Sequence, residues 1–425
     1  MSPTLSRRSF LEAGLAASGA LLLPGGAGAE GGQAKGGRAP ITLSRGVNAF
    51  PWFSLTREYP APRTDYGDPP FQTQRPVPTR RDLQRLRRAG LDFLRLPVDP
   101  GPFLAAAPKA RHALLGTLSD AVALVLDCDL KLVVNLQVNG ATHYWNQERL
   151  VSGPDAPGFA DYVAFAGEVA RVLAGFDPAR VALEPINEPP LACDAEAWPS
   201  MQQRLFEAAH GGAPDLTLVA TGACGSMIRG LEALDPAPLR AFGPVLFTFH
   251  FYEPYLFSHQ GAPWMREPVY RALNGVPWPA REGSLEQTLQ AVRRRMAEDR
   301  ERPEAEADAA YVETVRVLQQ YFDADPGRPF IDHYLDQAAD WARRHAIPPG
   351  QVLMGEFGAL RTDARYIAAG APDRARYIRD VRESAEARGF PWAFWNLFDG
   401  MGVMDDTTRA LDPAITTALG LRLPD

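Results

Sequence analysis

From residue 40 onward, apolar runs of about eight residues alternate with amphipathic stretches. The runs GVNAFPWF (46–53), LDFLRLPV (91–98), KLVVNLQV (131–138) and VALEPIN (181–187) predict four strands. LTLVATG (216–222), VLFTFHFY (245–252), QVLMGEFG (351–358) and WAFWNLF (392–398) predict four more. Helical periodicity fills most of the gaps. Thr79 caps a helix through Arg88, with Asp82 as the reciprocal cap and Gly90 as the stop. A helix over 111–127 puts Leu114, Leu118, Val122 and Val125 on one stripe. The next predicts Tyr162, Phe165, Val169 and Val172 inward, and a last one over 373–388 aligns Ile378, Val381 and Ala385.

Near-continuous apolar strands separated by amphipathic helices indicate a parallel sheet covered on both faces. Eight such units favour an α/β fold of the closed (β/α)8 TIM-barrel type over an open doubly wound sheet. No Gly-x-Gly-x-x-Gly turn follows the first strand, which argues against a dinucleotide-binding fold. The stretch of about 255–350 is too long for a simple crossover. It predicts extra helices near 284–300, 306–323 and 329–345, and an excursion over the barrel mouth. One catalytic domain over 41–425 is expected, with no internal repeat and no linker to a second module.

Residues 1–29 read as a targeting segment. Ser6-Arg7-Arg8-Ser9-Phe10-Leu11 precedes an Ala/Leu-rich run ending in Ala27-Gly28-Ala29, the pattern of a twin-arginine export signal. A flexible segment over 30–40 follows, and a periplasmic or extracellular location is expected. The formal charge of −7 over 425 residues argues against nucleic acid or an anionic membrane surface as partner and suits a neutral ligand. Of three cysteines, Cys128 reads as a buried thiol. Cys193 and Cys224 follow successive strands, which leaves a disulfide between them open. Their spacing matches no metal site, and neither metal nor cofactor is expected.

The chemistry lies at the strand ends. Asn187-Glu188-Pro189 closes the fourth strand and Gly355-Glu356-Phe357-Gly358 the seventh. In a barrel these ends form one rim, where active sites lie. Two carboxylates delivered to one rim suggest a glycosidase, because acetal hydrolysis needs an acid and a partner carboxylate across the bond. Arg95, Gln137, His250 with Tyr252, and Trp395 end other strands. Polar groups there are costly to desolvate unless used or paired.

These motifs resemble glycoside hydrolase family 5, the cellulase family of retaining (β/α)8-barrel glycosidases. The resemblance rests on Arg95, Asn187-Glu188-Pro189, His250-Phe251-Tyr252, Glu356 and Trp395, and covers most of the chain after residue 45. It implies Glu188 as acid/base and Glu356 as nucleophile, with the others around the sugar. The family commonly ends the third strand with histidine, where this chain has Gln137. The expected activity is double-displacement hydrolysis of a β-linked glucan, endo-acting and cellulase-like. Mannan, β-1,3-glucan or an exopolysaccharide stand as alternative substrates within the family, and a non-catalytic carbohydrate-binding barrel as an alternative to catalysis.

Residue chemistry adds roles beside the resemblance. Arg95 and Tyr252 are hydrogen-bond partners to orient Glu356, and Asn187 is placed for the sugar 2-hydroxyl. Trp395 offers an aromatic floor. Aromatics cluster in the loops: Trp52, Phe53, Tyr59, Tyr66 and Phe71; His143, Tyr144 and Trp145; Tyr255, Phe257, Trp264, Tyr270 and Trp278. As a group they suggest an open cleft for a polysaccharide or oligosaccharide, probed by stacking. Each singly is equally well read as loop packing. The chain is expected to act as a monomer, with no membrane partner once the signal is removed.

Overall fold

The computed structural model describes residues 38–299 and 303–423. The export signal expected over 1–29 lies outside the described residues. Eight strands close a parallel barrel. They are β1 (Arg45–Asn48), β2 (Phe93–Val98), β3 (Lys131–Leu136), β4 (Val181–Glu184), β5 (Thr217–Thr221), β6 (Val245–Phe251), β7 (Val352–Phe357) and β8 (Trp392–Phe394). Each pairs with its sequence neighbours, and β1 closes the ring against both β2 and β8.

Strand parity divides the core into two compartments. Phe93, Val133, Ala182, Val219, Leu246, Leu353 and Ala393 point into the barrel, where Ile41 and Leu43 join them. The opposite parity, such as Leu94, Leu96, Leu132 and Val134, packs under the helices. The inner layer has one close fit. A Cβ on Gly46 would fall 2.4 Å from the Phe93 ring, so only glycine lets that phenyl fill the barrel floor.

The helices follow local chemistry. Arg80–Ala89 is closed by a capping box in which the Thr79 hydroxyl accepts from the Asp82 N–H and the Asp82 carboxylate accepts from the Thr79 N–H. Gly90 ends it at φ +112°, a conformation that favours glycine. In Phe159–Leu173 the buried stripe runs through Tyr162, Phe165, Val169 and Leu173. Val172, expected inward, is only half-buried, because the i+4 step from Val169 lands on Leu173.

Between β6 and β7 the described residues form five α-helices, including Leu285–Glu298, Glu304–Ala324 and Arg328–Arg344. The last packs on the outside of the barrel, with Trp341 against Phe247 of β6. The other two pack on each other and on Pro268–Ala272. A two-stranded hairpin, Thr56–Glu58 with Tyr66–Phe71, rises from the loop after β1. Cys193 and Cys224 form a disulfide, and Cys128 is a buried free thiol. No described helix is long and apolar enough to cross a membrane.

Candidate active site

Arg95 projects from β2 into the barrel, fully buried, and all five of its N–H groups are used. Nε and Nη2 donate to the two oxygens of Glu184 at 2.7 and 2.8 Å. Nη2 also donates to Asn187 Oδ1 at 2.7 Å. Nη1 donates to Asn48 Oδ1 and to Glu356 Oε1, both at 2.8 Å. Burial works against the guanidinium charge, but Glu184 and Glu356 more than offset it, so Arg95 is held above its ordinary value. One cation thus serves two carboxylates, and the group keeps a negative charge that Glu356 can carry.

Glu356 reaches the rim through an irregularity in β7. The ladder with β6 runs Phe249 to Met354 and then His250 to Glu356, so Gly355 is an extra residue. Without that bulge, parity would turn Glu356 out toward the helices. A Cβ on Gly355 would meet Thr248 Oγ1 at 2.5 Å, and its carbonyl accepts from Asn48 Nδ2 at 2.9 Å. Glycine and a fixed carbonyl together aim the carboxylate.

At the rim, the Tyr252 hydroxyl donates to Glu356 Oε2 at 2.8 Å. Burial, and then the neighbouring Glu356 charge, push the Tyr252 phenol up, so it stays a donor. His250 Nδ1 lies 2.9 Å from Glu188 Oε1 and 3.7 Å from Glu356 Oε2. One ligand atom each from Glu188, His250 and Glu356 all lie within 4.8 Å of one another. Burial pushes the Glu356 carboxyl above its usual value, while His250, Arg95 and the Tyr252 hydrogen bond pull the other way and Glu188 adds to the rise. The cluster has the residue types of a metal site. A guanidinium on Glu356, with its Nη2 3.4 Å from His250 Nε2, makes it a poor host for a cation.

Arg95, Asn187, Glu188, His250, Tyr252 and Glu356 therefore meet at one point, as the sequence predicted. Trp395, just past β8, is half-buried against the group of Tyr252, Ala262, Leu360, Ala368 and Met401, with Phe50 at 5.4 Å between ring centroids. Gln137 follows β3; its Oε1 is buried without a partner. The aromatic loops divide. Trp52, Phe53, Phe71, Phe257 and Trp278 are core residues, which removes them as sugar platforms. Trp278 is tied by its indole N–H to Asp380 and packs edge-on against Tyr377. Trp264 stays 52% exposed.

Two residues of the site, Glu184 and Asn48, went unrecognised in the sequence. Glu184 sat inside the run VALEPI. The available signal was charge pairing: a buried arginine in one barrel strand requires an acid at matching depth in another.

Comparisons with known proteins give the family and the fold. Residues 66–400 match the family described as Cellulase (glycosyl hydrolase family 5). The chain belongs to glycosyl hydrolase family 5. A curated relative, Endoglucanase 3 of Fibrobacter succinogenes, is 22% identical over 352 residues, covering 79% of this chain and 48% of the relative. The chain thus spans about half the length of that relative. Among solved structures, the cellulose synthase subunit Z of Clostridioides difficile superposes with a TM-score of 0.63 at 18% identity, covering 89% of this chain and 99% of that one. Cel5A of Thermotoga maritima in complex with cellobiose gives 0.62 at 19%, covering 89% and 97%. At these identities the structural likeness speaks for the fold, and family 5 membership rests on the sequence match.

Proposed function

We propose that this family 5 protein is a retaining, endo-acting β-glycanase that cleaves β-1,4-glucan by double displacement. The observation that carries the proposal is the short span between Glu188 and Glu356, whose nearest ligand atoms lie within 4.8 Å. Carboxyls about 5 Å apart suit direct attack and retention, whereas inversion needs about 6.5–9.5 Å to admit a water.

In the first half-reaction a Glu356 oxygen bonds to the anomeric carbon while Glu188 gives its proton to the departing glycosidic oxygen. Arg95 and Tyr252 hold Glu356, one on each oxygen. The negative charge of Glu356 favours a proton on Glu188. In the second half that charge is consumed in the ester, and Glu188 removes a proton from water as its oxygen attacks the same carbon, releasing Glu356. With Asn187 Oδ1 accepting from Arg95, the amide N–H groups are left as donors, suited to the sugar 2-hydroxyl.

The chain is proposed to be exported. The arginine pair and small-residue site in 1–29 support this, and the Cys193–Cys224 bridge suits an oxidising compartment. Release of reducing ends from a panel of pure β-glucans, β-mannan and β-1,3-glucan tests the activity. Turnover of β-1,4-glucan that vanishes in Glu356→Ala is expected. A barrel that binds these polymers without cleaving any of them contradicts the proposal.

A further inference from the structure

Glu188 sits on a backbone that needs outside support. It lies past the end of β4, with φ +42°, a conformation L residues rarely adopt. Its side chain is 36% exposed, against 5% for Glu356. After β5, Cys224, Gly225 and Ser226 all have positive φ, at 63°, 66° and 58°. This left-handed turn folds back over the Glu188 loop. The N–H groups of Cys224 and Gly225 donate to the carbonyls of Leu191 and Pro189 at 2.9 and 3.0 Å. The Cys193–Cys224 disulfide closes the same contact covalently.

The far side of the turn reaches the catalytic rim. The Ser226 carbonyl accepts from the His250 N–H at 2.7 Å, and Met227 pairs with His250 as an isolated parallel bridge. The Ser226 hydroxyl meets Thr221 Oγ1 at 2.8 Å, anchoring the turn to β5. His250 in turn contacts Glu188 Oε1 through Nδ1. The turn therefore fastens both the loop that carries Glu188 and the backbone of His250, whose ring meets the Glu188 carboxyl. Glu356 also lies 3.7 Å from His250, but its two short hydrogen bonds come from Arg95 of β2 and from Tyr252.

We propose that the Cys193–Cys224 bridge and the turn at 224–226 position Glu188 for proton transfer to the leaving group. With the bridge closed the acid is aimed at the glycosidic oxygen. Opening it weakens acid catalysis and spares attack by Glu356. The inference rests on the double-displacement reading above, with Glu188 as the proton donor.

The test compares leaving groups on one glycone. A dinitrophenolate departs without a proton, whereas a sugar hydroxyl needs one, so kcat/KM on the two substrates separates acid catalysis from attack. Cys193→Ala/Cys224→Ala removes the bridge without freeing either of its sulfurs as a thiol. We expect kcat/KM on a β-1,4-gluco-oligosaccharide to fall by about tenfold or more, and on dinitrophenyl β-cellobioside by less than about threefold. The wild-type protein reduced with dithiothreitol should show the same split. Equal losses on both substrates, or no loss on either, overturn the proposal. Unfolding of both the variant and the reduced protein by circular dichroism does so too, since the bridge would then staple the barrel as a whole. Glu188→Gln serves as reference and should show a steeper split. Its failure to do so would sink the acid/base reading itself, whereas a split in Glu188→Gln alone sinks only the role of the bridge.

Discussion

Arg95 and Glu184 face each other inside the barrel through two hydrogen bonds of 2.7 and 2.8 Å, and neither side chain touches solvent. The same guanidinium holds Glu356 at 2.8 Å. Glu184 thus sets how much positive charge Glu356 feels, although it lies a layer below the rim. Replacing it with glutamine leaves the Arg95 charge undivided beside Glu356 and favours the ionised form. Activity requires that form and is lost as pH falls through its pKa, so the acid limb of kcat/KM in Glu184→Gln moves to lower pH. Breaking the buried pair also costs stability, about 3 kcal/mol in a urea unfolding measurement. An unmoved limb, or one shifted upward, contradicts the charge-sharing account.

The bulge at Gly355 gives a second test. A methyl group there falls 2.5 Å from Thr248 Oγ1, closer than packing tolerates, and presses on His250 Nε2 at 3.2 Å, so Gly355→Ala shifts the backbone that carries Glu356 or these neighbours. Displacement of a reacting group by about 1 Å can cost about 100-fold. We expect kcat of Gly355→Ala to fall at least tenfold while the fold persists by near-UV circular dichroism. Wild-type kcat in that variant would show that the bulge does not aim the nucleophile.

Gly46 tests the barrel floor instead. Its replacement by alanine drives a Cβ into the Phe93 ring, far from the rim, and overpacking of this kind costs about 1–3 kcal/mol. A lower thermal midpoint with unchanged KM is expected, read by calorimetry and steady-state kinetics on the same preparation.

Asp99, at the end of β2, supplies a pH signature of stability. It is 1% exposed, and burial pushes its carboxyl up to about 7, against hydrogen bonds led by the Gly101 N–H. The folded protein therefore holds a proton that the unfolded chain releases near its ordinary value of 3.8. This contribution is complete below that value and fades as pH rises toward about 7. In Asp99→Asn the fall in thermal midpoint between pH 4.5 and 8 should shrink relative to wild type. An identical fall in both proteins would remove Asp99 as its source.

Much of this organisation could be read from residues alone, for identifiable reasons. Strand runs and helix stripes reveal a barrel because burial on both faces leaves long apolar stretches, and the rim follows once strand ends carry Arg95, Glu188, His250 and Glu356. Glu184 escaped because a single acid inside VALEPI looks like an exception to an apolar pattern. Its meaning depends on Arg95, 89 positions away. The bulge was equally hidden, since register across β6 and β7 is set by pairing rather than by either strand. Loop aromatics misled in part: a ring such as Trp278 packs against Tyr377 or stacks on a sugar with the same composition around it.

The stereochemistry of the first-formed product tests the central claim most directly. Proton NMR of a β-1,4-gluco-oligosaccharide during early hydrolysis resolves the C1 protons of the two anomers before mutarotation. Glu188 and Glu356 at the observed span predict the β-anomer as the initial product. Initial release of the α-anomer would mean single displacement by water, and would contradict the assignment of Glu356 as nucleophile.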